Sequence, residues 1–449
     1  MKRYENYKST QIPWVSQVPS HWMLIRNANI LMLKHNIVGD RHTQFNLLSL
    51  TTGGIRIKNA DDARGKVPTS FENYQEVLPG DMVFCLFDLD CSAVFSGKSE
   101  YHGMITSAYD VAVPNLKLVS TSYLDYWFRM VFSGRYYKSY SKSVRYTINW
   151  EIFKALKTSI PPRAEQDQIV RYLDWQVSKI NRLIAAKRKQ IELLHEQFSA
   201  VINSTISGYD SSVPKYDSGI SLFGQIPQGW HVRPFSKIAT VKSNLVDPAL
   251  YKDMQQISPA SIEKNTARIL ELCTVEQAGV SSPNHYFYKG QIIYSKIRPL
   301  LNKVIIAPFD GLCSADMYPI ETVLDTEYLL FYLLSSSYLQ QLSVTANRVK
   351  MPKINQEELG ATLVLIPPEQ EQREIVAIIK SKCSKIQLLI EKIKLQIDAA
   401  SDLRTRLISD VVTGQIDVRG IEVPNYEHYD EAPENATEES SDSDYEAEE

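Results

Sequence analysis

The residues best equipped for chemistry in this 449-residue chain do not form a catalytic set. Gly97-Lys98-Ser99 ends like a phosphate-cradling loop, but Ser92 stands where GxxxxGK[ST] needs its first glycine. The eight histidines make no HExxH pair, and none shares a compact cluster with two cysteines, so metal catalysis has no visible ligands. Neither an [ND]-P-P-[YF] sequence, with which amino-methyltransferases hold a target base, nor a GxGxxG dinucleotide loop occurs. Asp88 and Asp90 read as solvated carboxylates of a turn. Cysteines 85, 91, 273, 313 and 383 form no CxxC pair, which fits a reducing compartment and argues against a disulfide framework or zinc finger. The chain is therefore read as non-catalytic, with any catalysis belonging to another subunit.

Basic side chains are the stronger candidates. The formal net charge is −3, yet residues 421–449 hold twelve Asp or Glu and no Lys or Arg. The remaining 420 residues carry 40 acids against 49 bases, an excess that suits a polyanionic partner. Lys138, Lys142, Arg145 and Tyr146 precede Ile148-Asn149, and Arg348, Lys350 and Lys353 precede Ile354-Asn355. Bases at such matching places suit phosphate contact or base-edge reading, with Arg best matched to guanine.

Those matching places belong to an internal repeat. Ile160-Pro161-Pro162 with Glu165-Gln166-x-x-Ile169-Val170 returns as Ile366-Pro367-Pro368 with Glu371-Gln372-x-x-Ile375-Val376, 206 residues later. Gln17-Val18-Pro19-x-x-Trp22 returns as Gln225-Ile226-Pro227-x-x-Trp230, and Ser207-Gly208 as Thr413-Gly414. Each copy reads as a globular part of mixed α and β character followed by one long helix. Each helix starts after Pro-Pro, contains no Pro or Gly, and ends at Gly208 or Gly414.

The helices carry coiled-coil seams in steps of four and three. The first reads Ile180, Ile184, Lys187, Ile191, Leu194, Phe198 and Val201, and the second Ile386, Ile390, Ile393, Ile397, Ala400, Arg404 and Leu407. About 43 residues at about 1.5 Å each give a rod of roughly 65 Å, while Tyr209 to Ile220 spans at most about 40 Å. Antiparallel pairing follows, with the globular parts expected at opposite ends of a dumbbell. Within the second part, Gly290–Arg298 and Asn302–Ala307 predict a hairpin around Pro299. Tyr123–Phe128 and Tyr328–Leu333 predict core helices.

Taken together, these marks resemble the specificity subunit of type I restriction–modification systems, over roughly residues 10–415. They are the repeated Q-[VI]-P-x-x-W motifs, the Gly80-Asp81 strand start, Ser295-Lys296-Ile297-Arg298-Pro299, and the I-P-P-x-x-E-Q-x-x-I-V starts of the helices. The resemblance implies an α+β fold: two mixed α/β target-recognition domains separated by an antiparallel pair of long coiled-coil helices, a pseudo-two-fold internal repeat. The expected division is 1–162 and 209–368 for the recognition domains, 163–208 and 369–414 for the helices, and 415–449 for an acidic, disordered tail.

It further implies a bipartite, asymmetric double-stranded DNA site with an unread spacer. Two copies of the modification methyltransferase would dock on the chain, and the restriction/translocation subunit would join them. S-adenosylmethionine, ATP and Mg would be bound by those partners, with no cofactor in this chain. Lys296 and Arg298 join the DNA-binding candidates in the second half; the first half has Cys85-Leu-Phe-Asp-Leu-Asp90 there, so they are not transferred to it. No apolar run is long enough to cross a bilayer, and a cytoplasmic protein without membrane contact is expected. The competing readings are a coiled-coil scaffold that does not touch DNA, and a nuclease or methyltransferase whose site lacks a recognisable motif.

Overall fold

The computed structural model describes residues 2–58, 70–141, 143, 146–208, 212–346 and 352–429. The chain divides into two compact units, Met1–Arg188 with Leu395–Glu449, and Lys189–Lys394. Both divisions fall inside the long helices, which run over Arg163–Ile206 and Glu369–Val412, 44 residues each, starting directly after Pro162 and Pro368.

The first unit is built on a four-stranded antiparallel sheet, ordered Leu31–Lys34, Asp110–Pro114, Met82–Phe84, Ser96–Lys98. Side chains alternate across a strand, so a strand covered on both faces must be apolar throughout. Met82 and Phe84 enter the main core, with Trp127, Phe128 and Phe153, while Val83 enters a smaller cluster with Leu50, Val77 and Val111. The aromatic helix Thr121–Ser133 closes the main core, and Tyr123 donates to the Ser159 carbonyl at 2.8 Å.

The second unit repeats this plan about 208 residues later. Its sheet is ordered Ala239–Val241, Met317–Thr322, Ile292–Ser295, Val304–Ile306, again antiparallel. Pairs such as Met82↔Ala112 recur as Ile292↔Ile320, and Leu31↔Pro114 as Ala239↔Thr322. Ile292 and Tyr294 face the main core and Ile293 a smaller cluster with Ile257, Phe287 and Ile305. The hairpin expected around Pro299 is the pair Ile292–Ser295 and Val304–Ile306.

Within each unit the start of one long helix packs beside the end of the other, so the pairing is antiparallel. In the first unit Tyr172, Val177, Ile180 and Ile184 share a core with Ala400, Leu407 and Val411. In the second, Phe198, Ile202 and Ile206 share one with Ile375, Ile379, Cys383 and Ile390. Arg404, where the seam departs from apolar character, donates from Nη1 to Asn181 Oδ1 at 2.8 Å.

The repeated motifs meet at these junctions. Trp22 Nε1 donates to Glu165 at 2.9 Å, and Trp230 Nε1 to Glu371 at 2.7 Å. Gln166 donates to the Pro161 carbonyl and accepts from Ser120 N–H; Gln372 donates to the Pro367 carbonyl and accepts from Asp325 N–H. Gly414, at φ +73°, lies so close to this site that a Cβ would sit 2.3 Å from Pro19 Cδ and 3.1 Å from Trp22. Gly208, at φ +67°, meets Pro227 and Trp230 in the same way. A left-handed helix terminus and a close approach thus both require glycine.

The expectation of a disordered tail from residue 415 needs correction for its first fifteen residues. Asp417 N–H donates to the Lys2 carbonyl at 2.9 Å, and Val418 is fully buried. Residues 421–429 then run beside the first long helix, where Gln168 donates to the Ile421 carbonyl at 2.7 Å. Apolar Ile416, Val418, Ile421 and Val423 supply burial that a count of acids overlooks. Residues 430–449 lie outside the described residues.

Candidate nucleic-acid interface

Strand Ile292–Ser295 delivers Lys296, Ile297 and Arg298 to a tight connection, the turn Pro299–Leu301. Pro299 presets the turn, and Arg298 and Asn302 flank it with φ of +45° and +48°. A non-glycine residue in that region is held against its preference, so surrounding contacts must fix it. Arg298 N–H donates to the Pro352 carbonyl, and Ile354 N–H to the Lys296 carbonyl, both at 2.9 Å. Ile297 pairs with Lys353. The Ser-Lys-Ile-Arg string and the residues Pro352 to Ile354, about 55 residues apart, are thereby tied together.

The charges converge as well. Lys296 Nζ donates to the Ala315 carbonyl at 2.7 Å, lies 3.7 Å from Asp316 Oδ1, and sits 5.6 Å from the Tyr318 ring centroid. Lys353 Nζ is 3.6 Å from the same Asp316 oxygen. Burial, then the Lys296 charge, push the neighbouring His285 imidazole below its ordinary value. Two ammonium groups therefore share one carboxylate, beside a histidine biased toward its neutral form. Paired ammonium groups of this kind are of the chemical type that suits contact with phosphate oxygens.

The first unit uses the same backbone frame with different chemistry. Ile148 N–H donates to the Leu86 carbonyl at 2.9 Å, matching the Ile354–Lys296 bond, and Leu89 N–H to the Tyr146 carbonyl at 3.3 Å. Asp88, at φ +51°, occupies the position of Arg298, and Leu86 that of Lys296. Lys138 Nζ lies 4.2 Å from the ring centroid of Tyr146, itself at φ +44°. Arg135 is turned inward: its Nη1 donates to the Ser92 carbonyl at 2.8 Å, and its guanidinium lies 4.2 Å from the Phe132 ring centroid.

Of the nine DNA-binding candidates, Lys296, Arg298 and Lys353 are brought together in the second unit, and Lys138 and Tyr146 in the first. Lys142, Arg145, Arg348 and Lys350 lie outside the described residues. Sequence reading missed His285, Asp316 and Tyr318, which sit on neighbouring strand ends and share no motif with the basic string. The Ile-Asn repeat proves to be a core anchor and a helix cap. Ile148 and Ile354 are buried, while Asn149 and Asn355 accept from Ile152 N–H and Glu358 N–H.

Among the seam candidates, Ile180, Ile184, Phe198, Ile386, Ile390 and Ile393 are buried, and Ile191, Leu194 and Ile397 are partly buried against the cores. Lys98, of the incomplete phosphate-loop pattern, ends a strand and lies 3.1 Å from Glu100. Among the described residues no group of three or more His, Cys, Asp or Glu could hold a metal ion, and no helix is long and apolar enough to cross a membrane.

Comparison with known proteins adds independent findings. Residues 227–399 match the family described as the type I restriction modification DNA specificity domain. The chain is 27% identical over 394 residues to the type I restriction enzyme EcoDI specificity subunit of Escherichia coli, covering 82% of this chain and 87% of that protein. It is 24% identical over 449 residues to the putative type I restriction enzyme MjaX specificity subunit of Methanocaldococcus jannaschii, covering 92% and 97%. A chain from a structural study of assembly and conformational transition of the type I R-M system shares the fold, with a TM-score of 0.56 at 13% identity, over 89% of this chain and 99% of that one.

Proposed function

We propose, for a chain that belongs with the specificity subunits of type I restriction–modification systems, that it reads a bipartite, asymmetric DNA site and positions partner enzymes on it. The observation that carries this reading is one frame used twice with different chemistry at its turn, half-buried Lys296 and Arg298 in one unit and buried Leu86 with half-buried Asp88 in the other. Two units with the same strand order but unlike turns suit two different short sequences. Phosphate contacts would come from Lys296 and Lys353, and base contacts from Arg298, Arg348 and Arg145, where a guanidinium matches guanine.

In this reading the chain itself is non-catalytic. Methyl transfer, with S-adenosylmethionine, belongs to two docked copies of the modification methyltransferase, and translocation and cleavage, with ATP and Mg, to the restriction subunit. A near-repeat within one chain supports a pair of related docking surfaces.

The test is to co-express the chain with the methyltransferase encoded beside it and map methylated bases across a genome. The expected result is a two-part asymmetric motif with a fixed unread gap, lost when this chain is omitted. A stable complex that methylates nothing, with no salt-dependent DNA affinity, would instead identify a scaffold.

A further inference from the structure

Contacts away from the turn Pro299–Leu301 decide how firmly it is held. Asn302, which ends the turn at φ +48°, is buried. Its Nδ2 donates to the Leu333 carbonyl at 3.0 Å, and its own carbonyl accepts from Asn265 N–H at 3.3 Å. Asn265 lies in a small hairpin, residues 262–269. A bridge between Ile262 and Ile269 closes it, as does Glu263 N–H, which donates to the Arg268 carbonyl at 2.9 Å. Two of its residues, Asn265 and Ala267, stand at φ +58° without being glycine. One strained turn thus leans on another, and each keeps its shape only where neighbouring contacts over-determine it.

For the hairpin those contacts come from the long helices. Ala267 packs against the core that holds Phe198, Ile386 and Ile390. Arg268 Nη1 donates to Glu391 Oε1 at 2.5 Å, and Lys394 Nζ donates to Glu263 Oε1 at 3.3 Å. Thr266 Oγ1 donates to the other Glu263 oxygen at 2.9 Å. Burial opposes the Glu263 charge, but the Thr266 hydroxyl and the charges of Lys394 and Arg268 outweigh it and hold the carboxyl below its ordinary value. The Glu263 side chain is 17% exposed, so this network is screened less than a surface ion pair. One repeat earlier the first long helix carries Ala185 and Arg188 where the second carries Glu391 and Lys394. The carboxylate that receives Arg268 therefore has no counterpart at that step, and the fastening is special to the second unit.

We propose that Glu263 and Arg268 are positioning residues for DNA reading by the second unit. Fastened to Lys394 and Glu391, they hold residues 262–269 against the helices and, through Asn265, fix the turn that presents Arg298. This rests on the reading above and deepens it, because it adds residues that act through the turn instead of at the DNA. The gain is preorganisation. A guanidinium reads a base edge in one geometry only, and a turn that must first be ordered loses part of its contact energy to that ordering. With Arg298 and Asn302 both at positive φ, the turn relaxes toward commoner backbone conformations when its support is removed.

The experiment uses the full chain co-purified with the methyltransferase encoded beside it, unsubstituted and as Arg268→Ala, Glu391→Ala, the two together, and Arg268→Lys. Amide exchange is read first. Leu301 N–H and Asn302 N–H, bonded to the Arg298 and Pro299 carbonyls, should exchange about fivefold faster or more in Arg268→Ala, with little change in thermal unfolding. If Arg268→Ala fails to fold, Glu391→Ala, which cuts the same contact from the helix side, gives the same reading. Unchanged exchange at these two amides overturns the proposal. Duplexes then carry the two-part site found by methylation mapping, or that site with one half replaced. Arg268→Ala should weaken binding about fivefold, and only through the half that Arg298→Ala also affects. Glu391→Ala should match it, the double substitution should be no worse than either alone, and Arg268→Lys should keep most of the affinity. No loss, an equal loss on every duplex, or a loss in the other half overturns the proposal. An unsubstituted complex that prefers no duplex defeats the functional reading instead, and the exchange result still decides whether the hairpin holds the turn.

Discussion

Glu165 and Glu371 stand at the same step of the repeat, yet the two units hold them differently. Glu371 accepts from Trp230, whereas Glu165 accepts from Trp22 and from the Tyr4 hydroxyl at 2.5 Å, and lies 2.8 Å from His21 Nε2. Burial, then Glu165 itself, push the Tyr4 hydroxyl well above its ordinary value, so the phenol remains a donor. The difference follows from connectivity. In the second unit the chain passes covalently from helix end to strand, while in the first the two chain ends must meet without a bond between them. Tyr7 donates to the Gly414 carbonyl at 2.9 Å, and Arg419 lies 4.8 Å from the Tyr4 ring centroid and pairs with Asp417 at 2.9 Å. Where a peptide bond is missing, a polar cluster holds the junction.

The largest effect should come from charging the helix seams. Ile184→Asp and Ile390→Asp each place a carboxylate in an apolar core and should cost about 4 kcal/mol in unfolding experiments. Proteolysis should then nick the first unit in one variant and the second in the other; equal damage to both units would show that they do not respond separately. Smaller and unequal losses are expected at the glutamates. Glu165→Ala orphans buried donors and should cost about 3 kcal/mol, against about 1 to 2 kcal/mol for Glu371→Ala, and equal costs would remove the distinction between a closed and a continuous junction.

For DNA, Arg145→Ala and Arg348→Ala should each lose about 1 to 3 kcal/mol, confined to different halves of the site. A uniform loss on every sequence would mark phosphate contacts instead. The smallest effect is a pH dependence special to the second unit. Burial first, and the charges of Lys394, Arg268 and Lys264 after it, depress the His195 imidazole below 6.5, against the pull of Glu263. A base depressed by folding contributes stability that is complete above pH about 6.5 and declines as pH falls toward the folded value. The first unit has Ser401 at the equivalent position. His195→Gln should therefore flatten the second unit's pH profile between neutral and mildly acidic conditions and leave the first unchanged.

Much of the architecture was legible because its signals are local. Pro-Pro, an apolar stripe free of glycine and proline, and a terminal glycine delimit each helix within two residues, and periodicity fixes which face is buried. The repeat then carried that assignment to the second copy. The candidate site was legible only in part, since Lys296, Arg298 and Lys353 are visible as charges but their meeting depends on a bridge between Ile297 and Lys353. Asp316 and His285 carry no motif, and they come to the site through strand register.

The amino-acid sequence by itself determined the duplication, the extent of the long helices, their seam residues and the identity of the paired Trp, Glu and Gly motifs. Each follows from periodicity, backbone conformation or repetition along the chain. Tertiary structure alone decided that Trp22 closes on Gly414 rather than Gly208, that Asp88 stands where Arg298 does, and that residues 418–429 run along the first long helix. Those outcomes depend on which distant segments meet, a choice made by the packing of whole elements and by where the chain happens to be continuous.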